Sequence, residues 1–351
     1  MPSPALPFSL EHLRQLTDDR GIIQHALFSI PNRKSGYTTD DNSRALIVVT
    51  RLYNQTGDRS LLRYVSTYLS FLLYVQRVDG RFRNFVGYNL GYLDTEGSDD
   101  CQGRACWASA VAAASALPES MRRSAHHMFD RLAGNPPHSS SPRYRAGVVR
   151  GLHILDDGHP SVEHQKLIRD HADALQAAYR AVTVPGWRWF EDSLTYGNAA
   201  LPETLFRAYL VTGDPAYLQT ARDSFDWLLE VLLPDGLLHP VGSDGWYARG
   251  GARAAFDQQP EEAEAVVRCA QVAWQATGEQ RYRAAAEQAV HWFLGRNTHR
   301  LPVYDQTTGA CYDGLTSEGV NRNQGAESTL AYLASCLTIT HWGTAAAGAT
   351  A

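Results

Sequence analysis

Apolar positions recur at helical spacing along most of the chain. Ala45, Val48, Val49, Leu52 and Tyr53 fall on one helix face, and Leu61, Val65, Tyr68, Leu69, Leu72 and Leu73 on the next. Between them lies Thr56-Gly57-Asp58, where Gly suits a left-handed C-terminal position and Asp an N-cap. The signature recurs as Thr212-Gly213-Asp214 and Thr277-Gly278-Glu279. Fifteen residues after each Thr stands an apolar triplet: Phe71-Leu72-Leu73, Trp227-Leu228-Leu229 and Trp292-Phe293-Leu294. The chain is therefore an array of helical hairpins. Weaker hairpins are predicted over 103–132 and 145–182. A helix near Leu10–Leu16 has no partner before it, and one over Ala326–Ile339 has none after it. Pairing those two closes six hairpins into a ring. The predicted fold is all-α, an (α/α)6 toroid, with first helices starting near residues 42, 103, 145, 201, 261 and 326. A linear solenoid is the main rival. Strand signals are poor.

Turns within hairpins are short and connections between them long: about 78–102, 183–200, 233–260 and 295–325. In a toroid these share one rim. Long connections without structure of their own are functional or disordered, and these are rich in Trp, Tyr, Asp and Gly. Each ends in a polar knot before a first helix. The knots contain Tyr37, Asp40 and Asp41; Asp99, Asp100 and Arg104; Glu191, Asp192, Tyr196 and Asn198; Asp257, Gln258 and Gln259; and Asn323, Gln324 and Glu327. Capping is the rival explanation for any single acid. A cap needs one residue per helix, however, and does not call for two consecutive aspartates twice.

Paired carboxylates suit glycoside cleavage, in which one acid protonates the leaving oxygen and another activates water or attacks carbon. The expected reacting pair is Asp100 and Asp257, with Asp41, Glu203 and Glu327 orienting substrate or water. Acids on different helices favour an inverting mechanism. Trp189, Trp246 and Tyr196 are candidate sugar-stacking faces beside Tyr37, although aromatics also plug loops onto a barrel end. Trp227 and Trp292, at matching repeat positions, are expected in the core. Lone His239 is a candidate substrate contact or base.

Composition narrows the rest. The chain of 351 residues is 44% hydrophobic and 20% charged, a globular balance, and its formal charge of −5 without a basic stripe argues against nucleic-acid binding. No signal peptide or membrane-length apolar run is read. Five scattered cysteines fit a reduced, cytoplasmic compartment. Neither His nor Cys spacing gives a metal pattern, and no cofactor is expected. One toroid domain over 1–342 and a disordered small-residue tail over 343–351 are expected.

Several of these segments resemble the six-hairpin glycosidase superfamily, in particular bacterial glycosidase-like proteins associated with glycosyltransferases and polysaccharide metabolism. The matching stretches are Gly36–Asn42, Ser98–Asp100 with Gly103–Ala105, Leu194–Asn198, Asp257–Pro260 and Asn323–Ser328. The resemblance implies a toroid with a carbohydrate-binding rim, an oligosaccharide substrate and a functional link to a glycosyltransferase. Two other functions remain open. A sugar epimerase or polysaccharide lyase would use His239 as base. A non-catalytic carbohydrate-binding partner of a glycosyltransferase would bind without turnover.

Overall fold

The computed structural model describes residues 6–158 and 160–348. Its helices are α1 (Glu11–Leu16), α2 (Thr39–Thr56), α3 (Leu62–Val75), α4 (Asp99–Ala113), α5 (Glu119–Ala133), α6 (Pro142–Gly158), α7 (Val162–Val182), α8 (Ala200–Thr212), α9 (Pro215–Leu232), α10 (Pro260–Thr277), α11 (Gln280–Phe293) and α12 (Ala326–Gly348). The even-numbered helices form an inner ring in chain order, each packed on the next, and α12 closes against α2. The odd-numbered helices back them, and α1 packs on α12. This is the predicted toroid, closed by the two terminal helices as expected. A solenoid has no reason to bring α12 onto α2.

The repeat marks the hairpin turns. Gly57, Gly213 and Gly278 end α2, α8 and α10 with φ of 66°, 69° and 72°, a conformation that costs glycine little. Asp58 and Asp214 cap the following turn through Ser60 N and Ala216 N. Glu279 does not cap α11: its carboxylate pairs with Arg222 and Arg281 instead. Trp227 and Trp292 are buried as expected. The inner ring is tightest at α4 and α6, where a Cβ on Gly147 would come within 2.4 Å of the Gly103 backbone.

Three of the inner helices begin earlier than their apolar patterns suggest. Asp40-Asp41 and Asp99-Asp100 lie in the first turns of α2 and α4, and not in the loops before them. Thr38 and Ser98 provide the caps, accepting from Asp41 N and Cys101 N. The carboxylates are thus relieved of capping. Extended pairs of two residues each fasten the rim: Tyr37–Thr38 to Phe85–Val86, and Ser193–Leu194 to Tyr247–Ala248. At the C-terminus, α12 continues to Gly348, past the boundary at 342 read from composition. Its alanines are strong helix formers. Residues 349–351 lie outside the described residues. No described helix is long and apolar enough to cross a membrane.

Candidate active site

Helical periodicity sets what the ring encloses. Side chains at i, i+3/4 and i+7/8 of an inner helix stack on the face toward the axis. In α2 these are Asp40/Asp41, Arg44 and Val48; in α4, Asp100, Arg104 and Trp107; in α6, Arg143, Gly147 and Arg150; in α10, Glu261, Glu264 and Arg268. They line a cavity that opens at the rim and runs two turns down the axis. Its mouth encloses about 420 Å³.

Six carboxylates line the mouth: Asp40, Asp41, Asp100, Glu261, Asp313 and Glu327. Two guanidiniums, Arg44 and Arg104, and the imidazole of His25 stand among them. Arg44 is the hub. Its Nη2 lies 2.6 Å from Glu327 Oε2 and 3.1 Å from Glu261 Oε1, and its Nη1 lies 3.4 Å from Asp41 Oδ1. Arg104 Nε donates to Asp40 Oδ1 at 2.7 Å, and its Nη2 lies 3.5 Å from Glu261 Oε1. Asp100 belongs to neither network. Tyr196 Oη donates to its Oδ2 at 2.6 Å and Ser141 Oγ to its Oδ1 at 3.0 Å.

Crowding drives these acids apart in acidity. Burial pushes Glu327 up to about 7; Arg44 opposes this, and the like charges of Glu261 and Asp41 add to it. Its side chain keeps 42% of its surface open to the cavity, so burial here means enclosure by the walls. Burial also raises Asp41 and Asp313. Glu261 goes the other way: burial would raise it, but Arg44 and Arg104 outweigh that and hold it at about 2. The mouth therefore sets, on one arginine, a carboxyl pushed up to about 7 beside one held at about 2, a combination suited to proton transfer.

The residues expected from sequence divide into two groups. Asp40, Asp41, Asp100, Arg104, Tyr196, Trp246, Gln259 and Glu327 share the mouth. The rest lie elsewhere. Asp257, half of the expected reacting pair, is not among the residues lining the cavity. Glu203 is fully buried below the mouth, bonded to Arg150, Arg207 and Arg268. Those cations outweigh burial and hold it well below the usual carboxylate range. Such a group is fixed in place and ionised, and is no proton donor.

Trp189 and Tyr37 are fully buried, so they plug loops onto the ring and offer no stacking face. Tyr37 spends its hydroxyl on Asp18. Asp99 turns to the outer side and accepts from Ser139 Oγ. Glu191 binds Arg143, Asp192 binds Arg249, and Asn198 anchors buried Glu262. Gln258 accepts from Trp292 Nε1 under the loop. His239 is bonded to Asp235 and Thr298, apart from the cavity. Asn323 supports the site from behind by donating to Asp313, and Gln324 gives its carbonyl to His12.

Arg44, Glu261, His25, Asp313 and Ser243 are mouth residues that sequence reasoning passed over. A signal existed for the first two. Arg44 follows Asp40 and Asp41 by three to four residues, and Glu261 precedes Glu264 and Arg268 by three and seven, on helices otherwise buried. Charges at that spacing on a buried helix mark a polar lumen. Asp313 and His25 come from loops and have no local pattern.

No family model matches the chain, and no curated protein matches it. Solved structures do. A sugar epimerase from a ruminal bacterium superposes with a TM-score of 0.75 at 12% identity, covering 95% of each chain. A cellobiose 2-epimerase from Bacillus thermoamylovorans gives 0.75 at 14%, covering 95% of this chain and 96% of that one. An α-1,6-mannanase from Salegentibacter, solved with a mannotetraose as an inactive variant with two consecutive aspartates changed to alanine, gives 0.64 at 13%, covering 94% and 96%. At these identities the likeness speaks to architecture alone: the fold of this chain is an (α/α)6 toroid.

Proposed function

We propose that the chain is a glycoside hydrolase acting on an oligosaccharide, with Glu327 as proton donor and Asp100 as the base that activates water. The observation that carries this reading is one cavity that holds both Glu327, whose carboxyl is pushed up to about 7, and Asp100, which is bonded only to hydroxyls. Glycoside cleavage needs one carboxyl protonated and another ionised at the same pH. Glu261 is a poor base because both arginines occupy it. Asp100 has no ion pair among the described residues and is held only by hydroxyls, so it can accept a proton from water. It stands on α4, with α2 between it and the Glu327 helix. That separation favours the wider spacing of an inverting enzyme.

Asp41, tied to Arg44 and Thr38, and Asp40, tied to Arg104, hold the arginines in place and face sugar hydroxyls. Both line the mouth, and the mannanase variant is one inactivated at two consecutive aspartates. Trp246 and Tyr196 supply the aromatic wall.

A panel of oligosaccharides, scored for reducing ends and followed by NMR of the first-formed anomer, tests the reading. Release of inverted sugar supports it. No hydrolysis across neutral, acidic and amino-sugar substrates would sink it.

A sugar epimerase is the second reading. His25 lines the mouth beside Asp313 and could abstract a carbon-bound proton, in place of His239. Solvent deuterium in recovered sugar, without cleavage, would favour it.

A further inference from the structure

Two turns below the mouth the sign of the charge reverses. Arg150 of α6 and Arg268 of α10 enter the cavity wall, their guanidinium carbons 5.0 and 5.3 Å from the centre of the Trp107 ring. Arg150 spends Nε and Nη2 on Glu203. Arg268 spends Nε on Glu203 and Nη1 on Glu264. Among the described residues, Arg150 Nη1 and Arg268 Nη2 have no hydrogen-bond partner, and neither is sealed from the cavity. Arg207 binds Glu203 from behind, and Arg51 donates to Thr338 close by. Four guanidiniums thus face two carboxylates, Glu203 and Glu264. Burial and neighbouring arginines push Arg51 and Arg150 down to about 10, whereas Glu264 and Glu203 outweigh burial at Arg268 and raise it. An uncompensated buried charge is costly, and guanidinium forks match oxyanions.

We propose that this floor is an anion subsite, and that the sugar reaching deepest into the toroid carries a carboxylate, phosphate or sulfate group bridging Arg150 and Arg268 beside Trp107. The proposal rests on the reading of the cavity as a saccharide site and narrows its substrate to acidic glycans. The acidic mouth does not forbid entry. Arg44 and Arg104 stand among its carboxylates, and the Glu327 carboxyl is pushed up to about 7.

The test is calorimetric binding to the full chain at neutral pH, independent of turnover. Glucose, galactose and mannose are compared with their uronates, uronate methyl esters, 6-phosphates and 6-sulfates, and with inorganic phosphate and sulfate. At least one anionic class binds about tenfold or more tightly than its neutral parent, the gain falls with added salt, and the methyl esters lose it. The preferred class identifies the substituent. Arg150→Met abolishes the preference for anionic over neutral sugars. Because that variant also strips a partner from Glu203, the wild-type comparison alone decides the matter if it does not fold. Equal or weaker binding of every anionic sugar overturns the proposal, as does binding of inorganic anions without any gain for their sugars. Selective anionic binding without hydrolysis of any substrate keeps the subsite and removes the hydrolase. Hydrolysis of neutral glycans with no anionic preference does the reverse.

Discussion

Arg44 Nη2 lies 2.6 Å from Glu327 Oε2, yet the Glu327 carboxyl is pushed up to about 7. A guanidinium at that range ordinarily stabilises the carboxylate. Here it is shared with Glu261 and Asp41, while the cavity walls withhold water. One cation divided among three carboxylates cannot keep all of them ionised.

Glu261→Gln therefore lowers the pKa of Glu327. It removes a like charge and leaves Arg44 freer to pair with Glu327, and both effects act in the same direction. A donor works while protonated, so activity falls as pH rises through its pKa. The alkaline limb of the kcat/KM profile, expected near pH 7 for the wild type, moves to lower pH in the variant. An unmoved limb would separate Glu327 from that limb.

Glu327→Gln removes the proposed proton donor. General acid catalysis contributes about 10²–10⁴-fold, so cleavage of glycosides with poor leaving groups drops by that order. Activated aryl glycosides, whose leaving groups need little protonation, lose far less. A uniform loss across leaving groups would speak against a donor role.

Asp100→Asn and Asp257→Asn separate two carboxylates that the sequence marks equally. Asp100 lines the cavity and Asp257 does not. Asp100→Asn loses turnover by about 10²-fold or more, while Asp257→Asn stays within a few-fold of wild type. Steady-state rates on one substrate check both, with thermal melts to confirm folding.

Glu203→Gln tests the floor as structure. It leaves Arg150, Arg207 and Arg268 without their common buried carboxylate. Breaking a buried ion pair in this way costs about 3–5 kcal/mol, read as a lower midpoint in urea unfolding. The sign with pH follows from the depressed carboxyl. Its contribution is present above the ordinary glutamate range and is lost as pH falls through the folded value. The variant is accordingly less acid-sensitive than the wild type.

Much of this architecture was legible without coordinates. The three Thr-Gly-Asp/Glu turns lie at hairpin corners because a left-handed C-terminal glycine is a local requirement, and at two of them the following Asp caps the next turn. The rim acids were legible too, as consecutive aspartates exceed what capping needs. Their division was not. Asp99 and Asp100 are neighbours in sequence, but about 100° of helical rotation sends one to Ser139 and the other into the cavity. Trp189 and Tyr196 belong to one rim connection, yet one is a fully buried plug and the other a cavity wall.

By itself, then, the sequence determined the helical hairpins and the rim on which polar residues collect, and it favoured a closed ring over a solenoid. These follow from periodicity and turn chemistry within a few residues of each position. Only the tertiary structure decided which carboxylates share a cavity, which arginine divides itself among them, and that the charge turns positive two turns below. Those depend on side chains from α2, α4, α6, α10 and α12 meeting at the axis. Acidity and ion pairing act over a few ångströms of space, which residue spacing along the chain does not encode.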